Sequence, residues 1–119
     1  MKVLLDHNVD RRLRRHLPGH DIKTTREMGW EALANGALLK SAAAGGFNAF
    51  VSADKKLEHE QNLRTLPLPI LVIDARSNAL PALLPFAPHI IGVLASPLEP
   101  LLYVLEPDGN VIRLTAPRP

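Results

Sequence analysis

Three short runs dominate the sequence: Lys2–Leu5, residues 47–53 and Ile70–Ile73 are apolar without the alternation of a half-solvated strand. A strand that shows apolar side chains on both of its faces needs cover on both sides. Segments with helical spacing separate these runs. Strands alternating with helices point to an α/β chain whose sheet is mainly parallel and covered on both faces. With 119 residues there is room for one such core and not for two.

The order of elements follows from the punctuation. A first strand stops at Asp6, and Asn8 or Asp10 caps a helix that runs to about His16, before Pro18-Gly19. Residues 20–24 read as a second strand with β-branched Ile22 and Thr24. Asn35 is placed to cap a helix over residues 36–44, which Gly45-Gly46 ends. The strand at 47–53 stops at Asp54, residues 55–63 read as helical, and Ile70–Ile73 is the next strand. Ser77-Asn78 is placed to cap a last helix, which Pro85 and Pro88 must kink or split before Leu94. The core domain therefore spans residues 1–97.

Residues 98–119 extend it. Two apolar stretches, 101–106 and 111–115, flank Pro107-Asp108-Gly109-Asn110 and read as a β-hairpin. Such a ribbon is marginal alone, so it closes the sheet of its own subunit or pairs with a second copy. A two-fold homodimer is the favoured expectation. Pro117-Arg118-Pro119 reads as a frayed end.

Cysteine is absent, which removes disulfides, thiol catalysis and zinc–thiolate sites. The apolar opening is broken by charge too early for a signal peptide, and no later run spans a bilayer, so a cytoplasmic protein with no membrane contact is expected. Net charge is only +2, but Arg11, Arg12, Arg14 and Arg15 fall within five positions. Burying Val9, Leu13 and Leu17 would turn most of these guanidinium groups outward, as a solvated face or as a contact for phosphates or an acidic partner.

Asp6 and Asp54 each sit where a strand ends, the edge at which open α/β sheets bind ligands. Oxygen donors of this kind suit Mg2+ or Mn2+, and a lone strand-end Asp equally suits a helix cap. His7 adjoins Asp6 as a ligand or rim residue, with Asn8 beside it. Other motifs fail: His59-Glu60-Gln61-Asn62-Leu63 lacks a second histidine, and Gly45-Gly46 is not followed by Lys-Ser/Thr. Trp30 reads as a core anchor rather than a base-stacking platform.

Several pieces occur in a telling order: Met1-Lys2-Val3-Leu4-Leu5-Asp6-His7-Asn8, Glu27-Met28-Gly29-Trp30, Asn35-Gly36-Ala37-Leu38-Leu39, Ser52-Ala53-Asp54-Lys55-Lys56-Leu57 and Gln61-Asn62-Leu63. Together they resemble the small PIN-like family of toxins from bacterial toxin–antitoxin modules. Arg76-Ser77-Asn78 followed by Leu83-Leu84-Pro85 is similar to that family as well. The resemblance implies a three-layer PIN-like sandwich and, in active members, a ribonuclease using Mg2+ or Mn2+ held by clustered acids. Position by position, Asp6 matches the first-strand acid, Asp54 the acid after the third core strand, and Glu27 the acid of the Glu-x-Gly-Trp segment. Asn35 matches the polar residue that opens a helix, and Gln61 and Asn62 match a polar pair. Two positions depart: His7 stands where the pattern has a glutamate, and Ala37 where it has another carboxylate.

The resemblance leads to two expectations. In the first, Asp6, Glu27 and Asp54 form the catalytic set of a metal-dependent endoribonuclease, Asp6 and Asp54 hold the metal, and Arg11, Arg14 and Arg15 hold RNA phosphates. In the second, the acid-poor site leaves a PIN-like scaffold that binds RNA or an antitoxin-type protein without cleavage.

Overall fold

The computed structural model describes residues 1–119, and each of the three apolar runs forms a strand. The strands are β1 (Lys2–Leu5), β2 (Asp21–Thr24), β3 (Ala49–Ser52), β4 (Ile70–Ile73), β5 (Leu102–Leu105) and β6 (Val111–Leu114). They make one sheet in the order β2-β1-β3-β4-β5-β6, parallel from β2 through β5, with β6 antiparallel on β5. All four residues of β3, β4 and β5 are buried, as runs apolar on both faces require.

Alternate side chains along each strand feed two separate cores. Val3, Leu5, Val51, Leu71 and Ile73 enter one, with Leu13 and Leu17 and with Leu83, Phe86 and Ile90 packed over them. Leu4, Phe50, Ile70 and Val72 enter the other, under Leu38, Leu39 and Ala42 of α1 (Asn35–Ala44) and Leu57 of α2 (Leu57–Glu60). The sheet is thus the middle of three layers. Trp30 meets Phe47 edge to face, with centroids 5.9 Å apart, and anchors this second core.

Local chemistry shifts several boundaries. The helix after β1 is a 3-10 helix, Arg11–His16, not an α-helix. Asp10 accepts the Arg12 N–H at 2.9 Å, and the backbone bonds at both ends, Leu13 N–H to Asp10 O and Leu17 N–H to Arg14 O, span three residues. Asn35 is the first residue of α1 rather than its cap. Ala34 holds that place, and its carbonyl accepts from Leu38 N–H at 2.8 Å. The helix expected over 55–63 shrinks to one turn, because Gln61 is extended and Asn62 turns the chain by accepting from Arg64 N–H. Pro85 and Pro88 split the last helical stretch into α3 (Leu80–Leu83), a 3-10 turn (Leu84–Phe86) and α4 (Ala87–Leu94).

The C-terminal segment is built into the domain. β5 pairs with β4 through Ile70↔Leu102 to Ile73↔Leu105, so the hairpin closes the sheet of its own subunit. Gly109, at φ 92°, closes the hairpin turn, and its N–H donates to Glu106 O at 3.0 Å. A Cβ there would stand 3.1 Å from the His89 ring of α4. Gly109→Ala is therefore expected to cost about 1–3 kcal/mol, seen as a lower urea midpoint at unchanged slope.

The last residues are not frayed. Glu58, only 4% exposed, accepts from Arg118 N–H at 2.8 Å and from its guanidinium at 2.6–3.2 Å. These bonds hold the Glu58 carboxyl at about 2, down from 4.5, against the opposing effect of burial. A depressed folded-state value means the pair stabilises fully above about 4.5 and loses its effect as pH falls through about 2. Arg118→Ala is expected to cost about 1–2 kcal/mol at neutral pH, since the arginine is half-exposed and screened. Melting curves recorded at falling pH should show that deficit closing within this window.

Candidate functional site

The sheet order sets β1 beside β3, with both C-terminal ends at the same edge. From there the chain leaves β1 toward the 3-10 helix on one face and leaves β3 toward α2 on the other. Divergence of this kind opens the crevice in which open α/β sheets bind ligands. Asp6 follows β1 directly, and its N–H still donates to Val51 O of β3 at 2.9 Å.

Asp6 is 3% exposed, and its carboxylate is held from two sides. Ser52 Oγ donates to Oδ2 at 2.8 Å, and the His7 N–H donates to Oδ1 at 2.8 Å with His7 Nδ1 3.0 Å away. Ser52 Oγ also accepts from Asp54 N–H at 3.0 Å and from Asn8 Nδ2 at 3.4 Å. Asn8 Oδ1 in turn accepts from Ala53 N–H at 3.1 Å. One buried hydroxyl thus ties the two strand-end turns together. Asp54 is linked to Asp6 through it and spends one carboxylate oxygen on Lys56 N–H at 3.0 Å.

A depression of about 220 Å3 opens over Asp6 and is lined also by His7, Asp10, Arg11, Arg14 and Glu27. Arg11 and Arg14 reach it together because side chains three apart eclipse one another in a 3-10 helix. Arg12 and Arg15 fall on the next face. All four arginines line an adjoining hollow of about 360 Å3, which shares Arg11 and Arg14 with the depression over Asp6.

Most of these charges are paired. Asp10 binds Arg12 at 2.7 Å, which holds the Asp10 carboxyl at about 2. Glu27 accepts from Thr24 N–H at 2.9 Å and lies 3.0 Å from Arg14 Nη1; the backbone bond first and then the guanidinium lower its pKa. Arg14 also donates to Ile22 O at 3.1 Å. Asp6 is the exception: it is buried, and no Lys or Arg pairs with it. Arg11 and Arg15 have no carboxylate partner either.

The expected residues therefore divide. Asp6, His7, Glu27, Arg11 and Arg14 share one depression, Asn8 and Asp54 adjoin it through Ser52, and Arg15 lies on the arginine hollow. Gln61 and Asn62 line a separate depression beside Gly36 and Lys40, and Asn35 opens α1. No three His, Asp or Glu side chains lie close enough to hold a metal by themselves. Of Asp6, Glu27 and Asp54, the first two line one depression while Asp54 adjoins it through Ser52, and Arg14 and Thr24 engage the Glu27 carboxylate. Ser52 and Thr24 are not among the site residues expected from the sequence, although Ser52 opens the Ser52-Ala53-Asp54 piece of the resemblance. A larger cleft of about 770 Å3 between α4 and the hairpin holds Glu99 and Arg113 but no buried charge. No helix is long and apolar enough to cross a membrane.

No family model, curated protein or solved structure matches the chain.

Proposed function

We propose that the chain is a PIN-like domain that binds RNA and cleaves it with Mg2+ or Mn2+ held on Asp6, with Asp54 as the second carboxylate. One observation carries the reading: Asp6 is a buried carboxylate with no Lys or Arg partner and only the exposed His7 imidazole beside it, opening onto a depression that shares two arginines with an arginine-lined hollow. A buried charge is costly unless it is paired, and a dication supplies the missing charge. The donor set fits. Mg2+ takes one or two carboxylates and leaves its other positions to water and phosphate. When bound, the ion would lower the pKa of water and neutralise phosphoryl oxygens.

The chain's own residues do the rest. Ser52 holds one oxygen of the Asp6 carboxylate and the His7 N–H the other, at the wall of the depression. Arg11 holds a flanking phosphate without reading sequence. Glu27 keeps Arg14 aimed across the site instead of binding metal. Arg11→Gln is expected to lower RNA affinity for all sequences alike and to reduce the salt slope by about 1.

A second reading is favoured by the Arg14–Glu27 pair and by Ala37, which together leave few free carboxylates. In that reading the same surface binds RNA or an antitoxin-type partner without cutting. Cleavage of single-stranded RNA by wild type, Asp6→Asn and Asp54→Asn, each with Mn2+ or Mg2+, separates the two. Loss of cleavage in both variants supports the nuclease. Equal cleavage by all three proteins marks a contaminant and overturns it, and binding without any cleavage leaves the scaffold.

A further inference from the structure

We infer that the hollow lined by Arg11, Arg12, Arg14 and Arg15 is a site for a phosphate monoester, the chemistry of a phosphorylated RNA end. Its RNA context rests on the reading above, but its binding chemistry does not depend on cleavage. No aromatic or hydrophobic residue lines the hollow, and its polar groups are all guanidinium groups, whose forked donors suit phosphate oxygens.

Charge decides between a terminal phosphate and an internal one. Asp10 offsets Arg12 and Glu27 offsets Arg14, while Arg11 and Arg15 remain uncompensated. Two guanidinium groups are therefore free of ion pairs. A phosphate monoester carries about −1.5 to −2 at neutral pH and matches the two, whereas an internal phosphodiester carries only one negative charge. The paired arginines are also held in place: Asp10 grips Arg12 through Nε and Nη2, and Arg14 is fixed by Glu27 and by the Ile22 carbonyl. Guanidinium groups already oriented lose little freedom on binding, and their forked donors suit phosphate oxygens. Because Arg11 and Arg14 also line the depression over Asp6, a strand anchored by its terminal phosphate lies with its next nucleotides toward that carboxylate.

The test is fluorescence anisotropy with a short single-stranded oligoribonucleotide carrying a 5′-phosphate, a 3′-phosphate or neither. EDTA is present throughout, so metal-dependent cleavage plays no part and failure here is distinct from failure of the nuclease reading. One phosphorylated oligonucleotide should bind about tenfold tighter than the unphosphorylated one. Arg11→Gln/Arg15→Gln, which changes two exposed side chains without partners, should erase that preference. Equal binding of all three oligonucleotides overturns the site, as does a preference that survives in the double variant. If inorganic phosphate alone binds as tightly as the phosphorylated oligonucleotide, the hollow serves free anions and the assignment to an RNA end falls.

Discussion

Deleting residues 98–119 is expected to abolish cooperative folding. The deletion removes β5, whose Leu102, Tyr103, Val104 and Leu105 are buried in the two cores on either side of the sheet. Burial of such side chains is worth about 1.5–3 kcal/mol each, so four of them approach the whole stability of a small domain, about 5–15 kcal/mol. The deletion also bares β4, whose Ile70–Ile73 run is apolar on both faces and would become an unprotected edge. Circular dichroism should show no melting transition, and the truncated chain should aggregate. A soluble fragment that melts cooperatively would mean that the hairpin only decorates a self-sufficient core. The homodimer expected from the sequence drew its force from apolar hairpin surface, and β5 hides most of that surface within its own chain. What remains on β6 is modest, with Val111 39% exposed and Ile112 half-buried.

Ser52→Ala is the second large effect. It strips one hydrogen bond from Asp6 and leaves Asp54 N–H and Asn8 Nδ2 without their acceptor. Stability should fall by about 1–3 kcal/mol, the cost of leaving buried polar groups unpaired. Residues that orient a metal-binding carboxylate typically matter by about 10- to 100-fold, so under the proposed function metal-dependent cleavage should drop by that factor while RNA affinity in EDTA stays the same. Equal losses of affinity and cleavage would place the damage in the fold rather than at Asp6.

The sheet was legible because its strands had no other home. Runs such as Ile70–Ile73 bury both faces, and only a covered parallel sheet accommodates several of them in succession. Asp6 was legible for the same reason, as the first charge after such a run. The 3-10 helix was not, because Val9, Leu13 and Leu17 fit an α-helical spacing equally well, and the tighter winding depends on Asp10 accepting from Arg12 N–H. That winding determines which arginines face Asp6, so it is also the detail on which the site depends. Ser52 was visible as the start of the Ser52-Ala53-Asp54 piece, but its role was not, because a small hydroxyl at the end of a buried strand looks like one more packed residue. The Arg118–Glu58 pair joins positions 60 residues apart, and nothing local in the sequence marks either partner for the other.

If Asp6 holds a divalent cation as proposed, direct metal binding reads it without relying on turnover. Calorimetric titration of the full chain with Mn2+ should give saturable binding at one site, lost in Asp6→Asn and weakened in Asp54→Asn, with both variants still folded. Binding of the same strength in wild type and Asp6→Asn, or no binding to wild type at millimolar Mn2+, would rule out a metal site on Asp6.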